Sequence, residues 1–270
     1  MTHRPRFHPP NVAVTSPFGL LIERAAIPDW QTIHKFGRNP AVGTSYTPVT
    51  PGGIYRTPQA AGATALRVKA GNVNDTSAGT GARAITLYGL DETGAAIEET
   101  VATAGAAASA PTTATFIRLY RATVTASGTY ATASAGSHAG DIVVENAAGT
   151  EDWATILANG FPRGQTEIGA YSIPAGFDGF LNRLQVTTDS TKNTSILFFR
   201  RESILETAAP YSGMRLLYNL ETRGGGTNLD VNASPIHIEG PADIGFLASV
   251  DQGTAQVSVD FDLLLAAHVL

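Results

Sequence analysis

The chain contains no cysteine, and only 15% of its 270 residues are charged, with a formal net charge of −5. The absence of cysteine excludes a thiol nucleophile, a disulfide framework and a cysteine zinc site. The charge balance argues against a nucleic-acid partner, because such proteins carry a clustered basic face. Two arginines near the start, Arg4 and Arg6, are interpreted as part of a solvated or partner-bound tail.

Long apolar runs are also missing. No run reaches the roughly 20 residues that a membrane span requires. The first residues, MTHRPRFHPP, lack the apolar region of a signal peptide. We therefore expect no membrane partner, and a chain that is made and kept in the cytoplasm unless something else carries it out.

Amphipathic helical patterns are scarce, and period-two alternation recurs in their place. The clearest run lies at residues 257–265, where every second residue is apolar and Ser258, Asp260 and Asp262 lie between. This alternation predicts a strand with one buried face. The predicted core residues of this strand are Val257, Val259, Phe261, Leu263 and Leu265.

The fold class is predicted to be all-β, with two sandwich or jelly-roll-like domains after an extended N-terminal arm. The arm covers residues 1–60, which are rich in proline and aromatic residues. The first β domain covers residues 61–160, with a long loop at 102–113 and one helix candidate at 151–158. The second covers residues 161–270, with a flexible tip predicted at the glycine run 224–226.

Motifs that suggest chemistry have simpler structural explanations. The match to G-x-G-x-x-A at residues 79–84 lies between a polar turn and a strand, not between a strand and a helix. His237 alternates with Ile236 and Ile238, which favours a half-exposed sheet position over a zinc ligand. The aspartates in glycine-rich turns, Asp75, Asp91 and Asp141, are interpreted as Asx-turn residues rather than calcium ligands. No G-x-S-x-G elbow occurs. We expect no enzymatic activity, no cofactor and no metal.

Short motifs within the first 176 residues resemble those of a known family. They are KFGRN (35–39), GGIY (52–55), NDTSAGTGAR (74–83), GLD (89–91), EETV (98–101), TFIR (115–118), RA (121–122), GDI (140–142), QT (165–166) and YSIPAG (171–176). In this order and spacing they resemble a family of virion structural proteins of tailed bacteriophages, common among phages of marine and freshwater bacteria. The resemblance implies a location in the virion, after assembly in the bacterial cytoplasm, and no catalytic residues.

Three functions remain open at this point. The first is a non-enzymatic head decoration or cement protein, or an appendage of the head or neck. The second is a tail or tail-fibre component that contacts the host, and the third is a carbohydrate-binding module or glycan hydrolase on a β-sandwich. Low charge favours a surface covered by neighbours, so the expected partners are other virion proteins and copies of the chain itself. The residues predicted to contact a neighbouring subunit are Trp30, His34, Lys35, Phe36, Arg38 and Asn39.

Overall fold

A computed structural model describes residues 18–230 and 236–268, so Arg4, Arg6 and the start of the predicted arm lie outside the described residues. The described chain is almost entirely β, which confirms the predicted all-β class. The helix α1 (Phe18–Glu23) precedes the strands. The strands are β1 (Trp30–Val42), β2 (Thr47–Pro48), β3 (Thr64–Ala70), β4 (Ala82–Leu90), β5 (Ala96–Ala102), β6 (Thr115–Phe116), β7 (Arg118–Ser127), β8 (Ile142–Asn146), β9 (Asp152–Ile156), β10 (Ala170–Ile173), β11 (Phe177–Glu202), β12 (Arg215–Asp230), β13 (Ile236–Glu239), β14 (Ala242–Val250) and β15 (Ala255–Ala267).

Two smaller sheets are built from the middle of the chain. One has the strand order β6-β3-β8-β9, and the other has the order β5-β4-β7. Their inner faces share one apolar cluster, in which Leu66 and Phe116 of the first sheet pack with Leu87 of the second. Two sheets that pool their apolar faces in this way form a sandwich.

The largest sheet is organised by the long strand β11. The first half of β11 pairs with β15 and the second half pairs with β14, while β12 lies along its opposite edge. The sheet folds over itself, because side chains of β14 and β15 meet in one core, with the rings of Phe246 and Phe261 5.6 Å apart. All five core residues predicted for the last strand are at most 1% exposed, so that prediction is confirmed.

The predicted arm requires a correction. Residues 1–60 were expected to precede all regular strands, yet Trp30–Val42 forms β1, which pairs antiparallel with β15 across eleven registered residues from Trp30 to Val42. Pro40 is tolerated here because β1 is an edge strand and its register shifts between Asn39 and Val42. This segment is therefore part of the chain's own large sheet.

Two local predictions are also wrong. Residues 151–158 do not form a helix, because Asp152–Ile156 is β9, which pairs with β8 and buries Trp153. The glycine run at 224–226 lies inside β12, where Gly225 and Gly226 pair with Thr188 and Thr187 of β11. Neighbouring strands supply hydrogen bonds in both places, and this pairing outweighs the local sequence preference.

Buried aspartates connect distant segments. Asp75, predicted as a turn residue, is fully buried, and its carboxylate accepts hydrogen bonds from the N–H groups of Ala82, Ala139 and Gly140 at 2.8–2.9 Å. Asp91 behaves as predicted, because it accepts from the N–H groups two and four residues later in its own turn.

A second buried network joins the middle of the chain to the large sheet. The Arg118 Nε of β7 lies 2.7 Å from an oxygen of Asp243 in β14, and both side chains are fully buried. The other nitrogens of Arg118 donate to the carbonyl groups of Ile117 and Ile204. Asp243 also accepts from Ser172 at 2.6 Å, from Tyr55 at 3.2 Å and from Thr57. Every charge in this network is satisfied internally.

Candidate interaction surface along the first strand

The six residues predicted to contact a partner all lie on β1, and they differ in how much of each side chain is exposed. His34 and Phe36 are exposed, and Trp30 and Arg38 are half-buried. Lys35 and Asn39 are buried, at 3% and 4% exposure, because odd-numbered residues of this stretch point inward. Lys35 and Asn39 therefore expose almost no surface, whereas the outward residues expose part of theirs.

The two buried residues, Lys35 and Asn39, make contacts within the chain. Asn39 donates to the carbonyl oxygen of Pro48 at 3.2 Å and accepts from the N–H of Ala41 at 3.0 Å, which shapes the turn after β1. Arg38 forms an ion pair with the buried Glu167 at 2.7 Å. These contacts hold the end of β1 in place.

Two cations bridge the gap between β1 and β7. The Lys35 ammonium of β1 donates to the carbonyl oxygen of Tyr120, and the Arg121 guanidinium of β7 donates to the carbonyl oxygen of His34 at 2.6 Å. Each side chain therefore satisfies a carbonyl group of the opposite strand. Sequence reasoning missed Tyr120 and Arg121, because nothing in the spacing indicates that β7 lies beside β1.

Two cavities lie beside this bridge, and both are lined by His34 and Arg121. The larger has a volume of about 310 Å³, and its other lining residues are Lys35, Phe36, Gln165, Thr166 and Asp260. The smaller, of about 280 Å³, is lined by three tyrosines, Tyr88, Tyr120 and Tyr171, together with Thr32 and Ile33. Burial raises the pKa of Tyr120 and Tyr171, so both phenols remain neutral hydrogen-bonding groups at physiological pH.

Two ionisable side chains that line the larger cavity have pKa values shifted in opposite directions. Desolvation, and then the neighbouring Arg121 guanidinium, hold the pKa of the Lys35 ammonium well below its usual range. His34 shows the opposite behaviour. Its Nδ1 lies 2.7 Å from Asp262, which raises the pKa of the imidazole, and Glu23 at 3.4 Å from Nε2 adds to the effect.

We expect the pKa of His34 to be measurably above 6.5, and to return toward that value in Asp262→Asn. Because the folded-state pKa is raised, the contribution of His34 to stability is fully present below pH 6.5 and is lost as the pH rises through the raised value. An NMR titration of the imidazole measures both effects. The control Asp251→Asn removes a carboxylate that contacts Asn193 instead, and should leave the His34 titration unchanged.

Gly37 brings β1 against the segment before β10. A Cβ atom at Gly37 would lie 2.1 Å from the Cα of Gly169, which is backbone and cannot turn aside. The glycine of the KFGRN motif is thus required by a close approach of two chain segments.

Replacing Gly37 with alanine should lower the free energy of unfolding by about 1–3 kcal/mol, because overpacking forces the backbone to shift. Urea denaturation followed by circular dichroism measures the change. Gly43→Ala is the matched control at the end of the same segment, since no atom lies within 4 Å of a Cβ there. If both variants lose the same stability, the close approach is not the cause.

Another edge strand of the large sheet is β12, which pairs only with β11 in the part of the chain that the structure describes. The strand spans Arg215–Asp230, and Leu216 near its start is 56% exposed. A long edge strand with unpaired backbone groups is a place where another chain can pair.

Groups of metal-binding side chains are not found among residues 18–230 and 236–268: no three histidine, aspartate or glutamate residues there could hold an ion. His237 is exposed beside the buried Ile238, as its alternation predicts, and its Nε2 lies 2.8 Å from Asp178. No helix within the described ranges is long and apolar enough to cross a membrane.

Comparisons with known proteins yield little. No family model matches the chain, and no curated protein matches it. A structure of infectious bursal disease virus Gx strain is similar over 89% of this chain and 77% of that one, at 8% identity and a TM-score of 0.23. A structure of the Gt strain of the same virus is similar over 94% and 78%, at 9% identity and a TM-score of 0.20.

Proposed function

We propose that the protein is a non-enzymatic structural protein of a tailed-phage virion, and that it decorates or cements the head or forms an appendage of the head or neck. The observation that carries the assembly role is the edge of β12, a 16-residue strand that pairs only with β11 among the described residues and that exposes Leu216. Monomeric proteins protect edges of this length, and assembly with a neighbour is one way to cover them.

Other features support the same proposal. Only 15% of the residues are charged, which is low for a protein whose whole surface faces water. The motifs that resemble those of the virion family include Gly37 and Arg118, which lie at a close backbone approach and in the buried network. These two motif residues therefore stabilise the scaffold, and the proposed role rests on the surfaces that the scaffold presents.

Purified particles of a phage that encodes this chain provide the test. Head decoration predicts a copy number comparable with that of the major capsid protein, measured by quantitative mass spectrometry of virions. A small fraction of that number would favour the neck or the tail, including a tail-fibre component that contacts the host. Absence of the protein from purified virions would overturn the proposal.

A further inference from the structure

The Lys35 ammonium and the Arg121 guanidinium, which connect β1 and β7, place two positive charges near each other. Each cation donates to a carbonyl oxygen, and Lys35 Nζ also lies 5.9 Å from the centroid of the Tyr120 ring. Neither cation forms an ion pair with any side chain that the structure describes. Lys35 is buried, at 3% exposure, and buried charges in proteins are normally paired with an opposite charge. An ammonium group has three N–H donors, and the Tyr120 carbonyl uses one of them.

The cavity next to these cations has room for a ligand. Its volume of about 310 Å³ compares with about 30 Å³ for one water molecule in the liquid, so a carboxylate group fits within it. Asp260, the one acidic residue in the lining, is half-exposed and lies 3.7 Å from Arg183, which offsets its charge. The lining therefore has an excess of positive charge.

The backbone of β1 adds a further donor. The carbonyl of His34 and the N–H of Arg38 both bond away from β15, to Arg121 and to the carbonyl of Glu167. Since the two sides of an antiparallel strand alternate, Phe36, midway between them, directs its N–H to the same side. Phe36 lines the cavity, and no bond across that edge to a described residue uses this N–H.

We propose that this cavity is a carboxylate-binding site, in which the anion is held by Lys35, Arg121 and the N–H of Phe36. Charge-assisted bonds to a guanidinium and an ammonium are the strong contacts that carboxylates make in proteins. The carboxylate can come from a free small acid or from a glutamate side chain of another chain that enters this cavity. The proposal does not depend on a virion role.

Calorimetric titrations of the full-length protein separate these sources. The probes are sodium acetate against sodium chloride at equal ionic strength, and a capped five-residue peptide with a central glutamate against the same peptide with glutamine. Binding of the glutamate peptide far more tightly than acetate identifies a segment of another chain as the source. Comparable binding of acetate and of the glutamate peptide identifies a free acid as the source. No binding of either, or equal binding of both peptides, overturns the proposal.

Substitutions of Arg121 and Lys35 test whether these cations hold the carboxylate. Arg121→Gln should weaken carboxylate binding at least about tenfold, whereas Arg215→Gln, an exposed arginine on β12, should change it less than roughly twofold. Lys35→Met should also weaken carboxylate binding at least about tenfold, because it removes the second donor cation. If Lys35→Met does not fold, Arg121→Gln decides: unchanged binding in that variant overturns the assignment.

Discussion

Replacing Arg118 with methionine is expected to lower the free energy of unfolding by about 3–5 kcal/mol, because the change leaves a buried carboxylate without its cation. Arg118 and Asp243 are both fully buried, with Nε and Oδ2 2.7 Å apart. The Ile117 and Ile204 carbonyl groups also lose their donors. Urea denaturation of the wild type and the variant at neutral pH measures the difference.

A matched control isolates the effect of burial. Arg67 contacts Glu145 at the same 2.7 Å distance, but 27% of the Arg67 side chain is exposed. Arg67→Met should therefore cost about 1 kcal/mol or less. The double variant Arg118→Met with Asp243→Leu removes both charges and should recover part of the loss. Equal losses in Arg118→Met and Arg67→Met would contradict the role assigned to the buried network.

The alternation of apolar residues was sufficient to predict β15 but not β1. In β15 each inward position is a large apolar residue, and all five predicted core residues are buried. In β1 the inward positions at Lys35, Gly37 and Asn39 are polar or lack a side chain. Their burial depends on partners elsewhere, so the hydrophobic pattern that identifies a half-buried strand is absent. The prolines around β1 further suggested an irregular segment.

The candidate site could be predicted only in part, for a related reason. His34, Lys35 and Phe36 were selected from the sequence, and all three line the larger cavity. Their partners on β7 are 85 and 87 residues away along the chain. Contacts at such separations come from the topology, and no local spacing encodes them. The sequence also could not distinguish inward from outward residues on a strand that it did not predict.

The last strand offers the sharpest test of the fold. Replacing Phe261 with alanine is expected to lower the free energy of unfolding by about 3–5 kcal/mol, through lost burial and the cavity left behind. Phe261 is fully buried, its ring lies 5.6 Å from that of Phe246, and its strand pairs with both β1 and β11.

Phe161→Ala is the control, because that ring is 43% exposed and its loss should change stability by less than about 0.5 kcal/mol. Unfolding in urea, followed by circular dichroism, compares the two. A Phe261→Ala variant as stable as the wild type would show that β15 does not bury this face, and the register that places Lys35 opposite Phe261 would fail with it.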